Sequence, residues 1–403
     1  MINVEEALNI ILQETPVLEY EEKDILSCLN KVLAEEIYSK DNLPPFDKSA
    51  MDGYAIKSED TNSCIDKALA EFEITGLIKA GEFSDVELKE GQAIKIMTGA
   101  PLPKGADAVI QIEKVKVKED KLQVFDKVKC GCNVIKLGEE IKTGEVALER
   151  GTLIRPTEIG VLASLGYSNI KVYRDPIISL LITGDELIGI NSELKAGKIR
   201  NSNEYSLRAL IKSIGAEAIS FGVIEDDKDI LKNKVEEALK KSDIVITSGG
   251  ASVGDFDFVE QVLKEINAEV KFKSVAIKPG KPISFAVIGK KLFFSLPGNP
   301  LSVITTFEEF VKPACNKMLG KEITDNNIFP VILCDDFKEK KDRKKYIYVR
   351  IEKINGNMYA YKLGSQSSNH LMTMSKANGI IIMPEGIGYM EAGEILNGKF
   401  IFK

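Results

Sequence analysis

Histidine is scarce in this sequence. The 403 residues include one histidine, His370. One imidazole is too few for a histidine-based zinc site, and it argues against a Ser-His-Asp triad. We therefore expect the chemistry of this chain to rest on carboxylates, lysines, arginines and backbone amides.

Cysteines and long apolar segments are also scarce. Six cysteines are too few for a disulfide framework, and only Cys130 and Cys132 lie close together, so we expect all six to be reduced. No apolar run approaches the roughly 20 residues that span a bilayer. The acidic N-terminus is unlike a secretory signal. The sequence predicts a cytoplasmic protein without a membrane segment.

Basic residues are not in excess. The chain has 54 Lys and Arg against 61 Asp and Glu, a net charge of −7. Because binding to nucleic-acid phosphates needs a concentrated basic face, nucleic acid is not an expected partner. The one basic run, at residues 338–345, is interpreted as a solvated hairpin loop, with a binding patch as the alternative.

The pattern of elements predicts several domains, since a single core rarely grows past about 250 to 300 residues. Residues 3–13 and 22–34 have helical periodicity. Residues 54–148 alternate in short segments punctuated by glycines, which is typical of a small β-rich domain. Residues 157–166 predict a further helix, ended by Gly166.

The pattern of apolar and polar residues changes in the second half of the chain. Residues 176–319 alternate apolar strands with amphipathic helices, which indicates a parallel-type sheet covered on both faces. Residues 326–403 contain strand-like segments of a small β domain or barrel. The predicted fold class is multidomain α/β plus β: a central α/β sandwich domain, an inserted small β domain and a C-terminal β barrel.

Four loops containing glycine follow predicted strands of the central domain. They are TGDEL at 183–187, TSGGASVGDFD at 247–257, IKPGKP at 277–282 and LPGNP at 296–300. Ligands of such sheets bind beyond the carboxyl ends of the strands. Glycines let backbone N–H groups approach an anion closely. The second loop matches neither a Walker loop nor a dinucleotide-binding fingerprint.

Charged residues accompany these loops. Carboxylates occur in three pairs, Asp185 with Glu186, Asp226 with Asp227, and Asp255 with Asp257. Each aspartate of the last two pairs either faces a ligand or caps the next helix. Lys278 and Lys281 flank a Pro-Gly turn, and two ammonium groups at a fixed separation suit a pyrophosphate or an oxyanion. With Mg²⁺ on the carboxylates, this set fits phosphoanhydride chemistry.

Six motifs, in order along the chain, resemble those of the molybdopterin molybdenumtransferase family, the bacterial relatives of the gephyrin E domain. They are the four loops above together with PFDKSAMDGYAI at 45–56 and IMTGAPLPKGADAVIQIE at 96–113. The resemblance extends over essentially the whole chain. It implies the molybdopterin-binding fold for the central domain.

The resemblance also implies a domain division and an assembly. Its four domains are an elongated discontinuous domain at 1–45 and 142–175, an inserted β-rich domain at 46–141, the α/β domain at 176–322, and a C-terminal β barrel at 323–403. A homodimer is implied, with each active site shared between the α/β domain of one subunit and the second domain of the other. Contact with a molybdopterin adenylyltransferase is a further expectation.

The implied reaction inserts molybdenum from molybdate into adenylylated molybdopterin and releases AMP, with Mg²⁺ assisting. It is the final step of molybdenum cofactor biosynthesis. One alternative is molybdopterin adenylyltransferase activity, although that enzyme resembles only residues 176–319. Another is a scaffold or binding role like that of the gephyrin E domain. The sequence does not separate molybdate from tungstate as the oxyanion.

Individual site residues are implied by motif. The catalytic set is Asp52, Thr98, Glu186, Asp226 and Asp257, of which the first two come from the partner's side of the cleft. The metal ligands are Glu186, Asp257 and Glu140, and Glu140 stands where the family usually has an aspartate. The residues implied to bind the pterin phosphate or the oxyanion are Ser248, Gly249, Gly250, Ser252, Lys278, Gly280, Lys281, Pro297, Gly298, Asn299, Pro300, Arg350 and Ser368.

Overall fold

The structure is a computed structural model, and it describes residues 1–64, 69–249, 258–321, 328–364, 366 and 370–401. The site residues predicted at Gly250, Ser252, Asp257 and Ser368 lie outside the described residues. Among the helices that are described, none is long and apolar enough to cross a membrane. All six cysteines are described and free, as predicted, and Cys130 and Cys132 are exposed.

Two stretches distant in sequence form an N-terminal layer. Its elements are the strands Tyr20–Asp24, Ile37–Tyr38, Val146–Leu148 and Asn169–Tyr173, the 3-10 helix Ile25–Cys28 and the α-helix Pro156–Ser164. The helix predicted over residues 22–34 is wrong. Residues 20–24 instead pair antiparallel with residues 169–173. Local periodicity does not reveal a strand partner so far away in the chain.

A six-stranded sheet occupies the segment between these two stretches. In sheet order its strands are Ala108–Gln111, Gly53–Ile56, Gln92–Ile96, Ala70–Ile78, Lys121–Val124 and Val115–Lys118. A short antiparallel pair, Lys48–Ser49 with Val134–Ile135, accompanies it. Inward side chains such as Phe72 and Leu122 are fully buried. This is the β-rich domain that the alternating segments predicted.

The central domain contains a second six-stranded sheet. In sheet order its strands are Glu217–Ile224, Ile177–Thr183, Ile244–Ser248, Lys291–Leu296, Ser284–Ile288 and Glu269–Phe272. The first four are parallel, and the last two add antiparallel pairings at one edge. After Ile177–Thr183, the next strand of the sheet along the chain, Glu217–Ile224, lies on one side of it, and the following one, Ile244–Ser248, lies on its other side. The sheet order therefore reverses between Ile177–Thr183 and Ile244–Ser248. Such a switch point is where open α/β sheets bind ligands.

Helices cover both faces of this sheet. They are Asn203–Ser213, Lys228–Lys241, Phe258–Glu265, and a last continuous helix made of Pro300–Thr306, the π-helical turn Phe307–Val311 and Lys312–Met318. Two separate apolar clusters lie on the two faces. The first helix of the chain, Val4–Glu14, packs into one of them, with Ala7 and Ile11 fully buried. The boundaries of the four predicted domains stay a prediction.

A closed five-stranded barrel ends the chain, as predicted. In order around the ring its strands are Lys344–Ile354, Asn357–Lys362, Ile328–Leu333, Ile395–Phe400 and Gly379–Met383. The first and last strands pair and close the ring. Smaller elements are the helix Leu371–Lys376 and the paired strands Phe337–Lys338 and Tyr389–Met390. The short strand Ile277–Lys278 joins the barrel to the central domain by pairing with Lys344 and Lys345. The prediction that the loop at 277–282 directly follows a strand of the central sheet is therefore wrong, because its first two residues are a strand of the barrel sheet.

Candidate active site

Three of the predicted loops meet at the switch point of the central sheet. Gly249 has a φ of +96°, and a Cβ there would lie 2.1 Å from the carbonyl oxygen of Thr183. A Cβ on Gly298 would lie 3.6 Å from the Cα of Gly249. Gly249 thus allows the loops after Thr183 and Ser248 to pack backbone against backbone, because a side chain there would be strained and obstructed, and Gly298 of the loop after Leu296 lies in ordinary contact with it.

Asn203 ties these loops together. Its Nδ2 donates to the carbonyl oxygen of Gly298 at 2.7 Å and to Ser248 Oγ at 3.1 Å. Ser248 Oγ in turn donates to the carbonyl oxygen of Pro297 at 3.3 Å. The sequence reasoning missed Asn203. Its one signal was a polar residue at the start of a helix, which usually indicates only a cap.

Buried polar atoms without partners surround this junction. Within the described part of the chain they include Thr183 Oγ1, Thr247 Oγ1 and Asn203 Oδ1. Buried polar atoms in folded proteins are nearly always hydrogen-bonded. Donors and acceptors held in this way at the ends of parallel strands are suited to a polar ligand. The predicted loop residues Gly250, Ser252, Asp255 and Asp257 continue from here, outside the described residues.

Three carboxylates form what we call the carboxylate edge: Asp185, Glu186 and Asp226. The backbone N–H of Asp226 donates to Asp185 Oδ1 at 3.4 Å. Partial burial, followed by the negative charges of Asp185 and Glu186, raises the pKa of Asp226 above its usual value. Like charges are therefore close enough to affect one another, and a bound cation would relieve their repulsion.

Asp227 has a different task from its neighbour. Its Oδ1 accepts hydrogen bonds from the backbone N–H groups of Asp229 and Ile230, each at 2.9 Å, and so caps the helix Lys228–Lys241. Asp226 therefore belongs to the carboxylate edge and Asp227 does not, and the functional role of either aspartate stays a prediction. No group of three or more His, Cys, Asp or Glu side chains among the described residues is arranged to hold a metal ion.

A second region, which we call the lysine cavity, lies between the central domain and the barrel. It is a cavity of about 560 Å³. The central domain contributes Lys278, Pro279, Gly280, Lys281, Pro282, Asn299 and Ser302, and the barrel side contributes Glu339, Arg343 and Gln366. Gly280 has a φ of +122°, and a Cβ there would lie 2.5 Å from Thr306 Cγ2. The two predicted lysines therefore do share one cavity.

The basic run supplies part of this cavity. Residues 339–343 form a loop, as expected, but the loop is not solvated throughout. Arg343 lines the cavity, and its Nε lies 3.0 Å from Asp342 Oδ2. Lys345 is 1% exposed and donates to the carbonyl oxygen of Arg343 at 2.8 Å. The sequence reasoning missed Arg343 because a lysine-rich run usually indicates a solvent-exposed segment.

Gln366 connects the cavity to the barrel wall. Its Oε1 accepts from the backbone N–H of Tyr348 at 3.0 Å, and its Nε2 donates to the carbonyl oxygen of the same residue at 3.0 Å. Arg350, two residues further along that strand, is exposed and pairs with Glu352 at 2.5 Å. The structure does not place Arg350 among the residues that line the lysine cavity. Its oxyanion role stays a prediction.

Asp52 and Thr98 are brought together just outside the strands Gly53–Ile56 and Gln92–Ile96 of the N-terminal six-stranded sheet. Asp52 Oδ1 accepts from both the backbone N–H and the Oγ1 of Thr98, each at 2.7 Å. These hydrogen bonds lower the pKa of Asp52. Both residues are exposed, so the pair presents an ionised carboxylate to whatever approaches. Glu140 is also exposed, with its backbone N–H bonded to the carbonyl oxygen of Leu43 at 3.0 Å, and it is not part of the carboxylate edge.

Three models of known protein families together match most of the chain. Residues 2–166 match the MoeA N-terminal region (domain I and II), residues 179–317 match a probable molybdopterin binding domain, and residues 330–397 match the MoeA C-terminal region (domain IV).

Individual relatives are similar over almost their full length. The chain is 36% identical to the molybdopterin molybdenumtransferase of Staphylococcus aureus (strain COL), over 98% of this chain and 94% of that protein. It is 35% identical to the enzyme of the same name from Staphylococcus epidermidis (strain ATCC 12228), with the same coverage. The crystal structure of the molybdopterin biosynthesis protein moeA from Pyrococcus horikoshii OT3 superposes with a TM-score of 0.86 at 32% identity, covering 99% of this chain and 100% of that one.

Proposed function

The chain belongs to the molybdopterin molybdenumtransferase family, and we propose that it inserts molybdenum from molybdate into molybdopterin, the last step of molybdenum cofactor biosynthesis. We further propose that the pterin is adenylylated when it binds and that AMP is released. The lysine cavity is the single observation that carries the oxyanion half of this proposal. Lysine and arginine side chains around a small cavity are suited to a tetrahedral dianion.

The switch point and the carboxylate edge support the pterin half. Backbone groups freed by Gly249 and Gly298 would hold the phosphate groups of the pterin. The mutual repulsion of Asp185, Glu186 and Asp226 favours a divalent cation there. Mg²⁺ in proteins is often held by one or two carboxylates together with substrate phosphates, so a set smaller than three protein ligands fits it. When bound, Mg²⁺ would neutralise phosphate charge.

The lysine cavity also argues against the adenylyltransferase alternative. Such an enzyme resembles the central domain alone, whereas Glu339, Arg343 and Gln366 reach this cavity from the barrel side. A function confined to the central domain gives these residues no purpose.

The deciding experiment supplies the purified protein with adenylylated molybdopterin, Mg²⁺ and molybdate. We expect AMP release that depends on molybdate, together with formation of active cofactor. AMP release without molybdate, or none at all, would contradict the proposal. Replacing molybdate by tungstate in parallel reactions determines which oxyanion is used.

We also propose a homodimer in which Asp52 and Thr98 complete the site of the partner subunit. In support, the Asp52–Thr98 pair is exposed, and its side-chain hydrogen bonds among the described residues stay within its own sheet. Co-expression of Asp52→Ala and Asp226→Asn chains tests this. If sites are shared, mixed dimers carry one intact site, and activity returns to about a quarter of wild type for random pairing. Unshared sites would give no recovery.

A cytoplasmic location and contact with a molybdopterin adenylyltransferase complete the proposal. The contact would pass an activated pterin directly between two active sites. Co-sedimentation of the two purified proteins would measure this contact, and the same run with the Asp52→Ala variant would show whether Asp52 takes part in it. A single sedimenting species at the sum of both masses is expected, and independent sedimentation would contradict it.

A further inference from the structure

The lysine cavity contains an acidic residue as well as its basic ones. Lys278 Nζ lies 2.6 Å from Glu339 Oε2. The Glu339 side chain is 16% exposed, against 40% for Lys278. A carboxylate in a cavity proposed for an anion would repel that anion, so its presence there needs an explanation.

The backbone fixes both members of this pair. Lys278 belongs to the short strand that pairs with Lys344 and Lys345 of the barrel. The backbone N–H of Glu339 donates to the carbonyl oxygen of Gly388 at 2.9 Å. A Cβ on Gly388 would lie 3.1 Å from the carbonyl oxygen of Glu339, so glycine permits this close approach. The contact between Lys278 and Glu339 is therefore built into the join between barrel and central domain.

The charges of the cavity have a simple sum. Lys278, Lys281 and Arg343 contribute three positive charges, and Glu339 contributes one negative charge. The net charge of these lining residues is +2, and the pairing of Arg343 with Asp342, which does not line the cavity, lowers the sum to +1. Within the described residues, no carboxylate pairs with Lys281. Of the two lysines, Lys278 is thus the one already engaged before an anion arrives.

We propose that Glu339 is an internal counter-ion that competes with the oxyanion for Lys278. A carboxylate oxygen and an oxyanion oxygen accept the same charge-assisted hydrogen bond from an ammonium group. Binding of the oxyanion must therefore break the contact between Lys278 and Glu339. This competition weakens oxyanion binding and keeps Lys278 neutralised while the cavity is free of substrate. The inference rests on the proposed function, because it assigns the cavity to an oxyanion.

Titration of molybdate into Glu339→Gln, without pterin, tests the competition directly. We expect the variant to bind molybdate about tenfold more tightly than wild type, since one charge-assisted hydrogen bond no longer has to be broken. Sulfate should gain affinity to a similar extent, because the effect is one of charge. In turnover, the KM for molybdate should fall while kcat stays within about twofold.

Glu308→Gln is the matched control, because Glu308 pairs with a lysine, Lys312, at 2.8 Å and its side chain is 17% exposed. It does not line the cavity and should leave molybdate binding unchanged. Glu339→Ala, which also removes the charge, serves if the glutamine variant is unstable, and Glu339→Asp, which keeps the charge, should stay near wild type. Unchanged or weaker molybdate binding by Glu339→Gln would overturn the inference, even if AMP release is normal. Loss of AMP release in wild type would instead overturn the proposed function, and the titration would still test Glu339.

Discussion

The carboxylate edge and the lysine cavity carry opposite charges, and the loop at residues 297–300 contributes to both the switch point and the lysine cavity. On one side of this loop the carbonyl oxygen of Gly298 accepts from Asn203 at the switch point. On the other side Asn299 lines the lysine cavity. The contrast teaches that two anionic substrates can use one site if each meets its own kind of partner. Phosphate groups would meet a cation on carboxylates, and the oxyanion would meet ammonium and guanidinium groups directly.

The two regions also differ in how they are built. The carboxylate edge comes from successive loops of one sheet. The lysine cavity needs the barrel as well, because Glu339, Arg343 and Gln366 complete it. Substitutions in the two regions should therefore have separable effects, and the following experiments test that separation.

The largest effect is expected at the carboxylate edge. Asp226→Asn should lower kcat about 100-fold or more, the loss typical of removing one preorganised charged group from an active site. The KM for molybdate should change little. The neighbouring substitution Asp227→Asn is the control, because asparagine also caps helices, and it should retain nearly full activity. Equal losses in the two variants would contradict the assignment of Asp226.

Substitutions in the lysine cavity should change the KM for molybdate, whereas those at the carboxylate edge should change kcat. Lys281→Ala is expected to raise the KM for molybdate by about tenfold or more, because a charge-assisted hydrogen bond contributes roughly 1.5–3 kcal/mol. The KM for the pterin should be much less affected. Lys290→Ala removes an exposed lysine from a turn of the same domain and serves as control. A rise in both KM values would show that the two regions are not separate.

A structural substitution should damage both regions together. Gly249→Ala places a Cβ against the carbonyl oxygen of Thr183 in a left-handed conformation. We expect a loss of about 2 kcal/mol or more in the free energy of unfolding of the central domain, seen as a lower Tm by calorimetry. Gly160→Ala is the contrasting control, since that glycine lies in a helix with open space around its Cβ position. It should be neutral or slightly stabilising.

The smallest effect concerns pH. The pKa of Asp226 is raised in the folded protein, so the folded state binds this proton more tightly than the unfolded state. Stability is therefore lost as pH rises from the unfolded pKa through the folded one. Asp226→Asn should have nearly the wild-type Tm at pH 4 and exceed it at pH 8, by no more than about 2 °C for so exposed a group.

Mg²⁺ provides a second measurement on the same pair of proteins. It should raise the Tm of wild type at pH 8 more than that of the variant, because only wild type retains the full carboxylate edge. If Mg²⁺ raised both Tm values equally, it would bind elsewhere.

Much of this architecture could be predicted from the sequence, because its signals are local. Continuous apolar strands between amphipathic helices predicted the central sheet, and the loops after its strands contain Glu186 and Gly249. Lys278 instead lies in a short strand that pairs with the barrel. Residues placed by distant pairing could not be predicted in this way. The strand at residues 20–24 depends on a partner at 169–173, and Arg343 reaches the cavity only because residues 277–278 pair with 344–345.

The place of the first helix has a consequence for how the chain folds as it is made. Residues 4–14 leave the ribosome long before residues 307–318, yet Ala7 and Ile11 pack in a cluster that includes Phe307 and Met318. At synthesis rates of 5–20 residues per second, the helix waits roughly 15 to 60 s for those partners. During that interval its apolar face has no native surface to cover it, so we expect the nascent chain to depend on chaperones until the last helix of the central domain emerges.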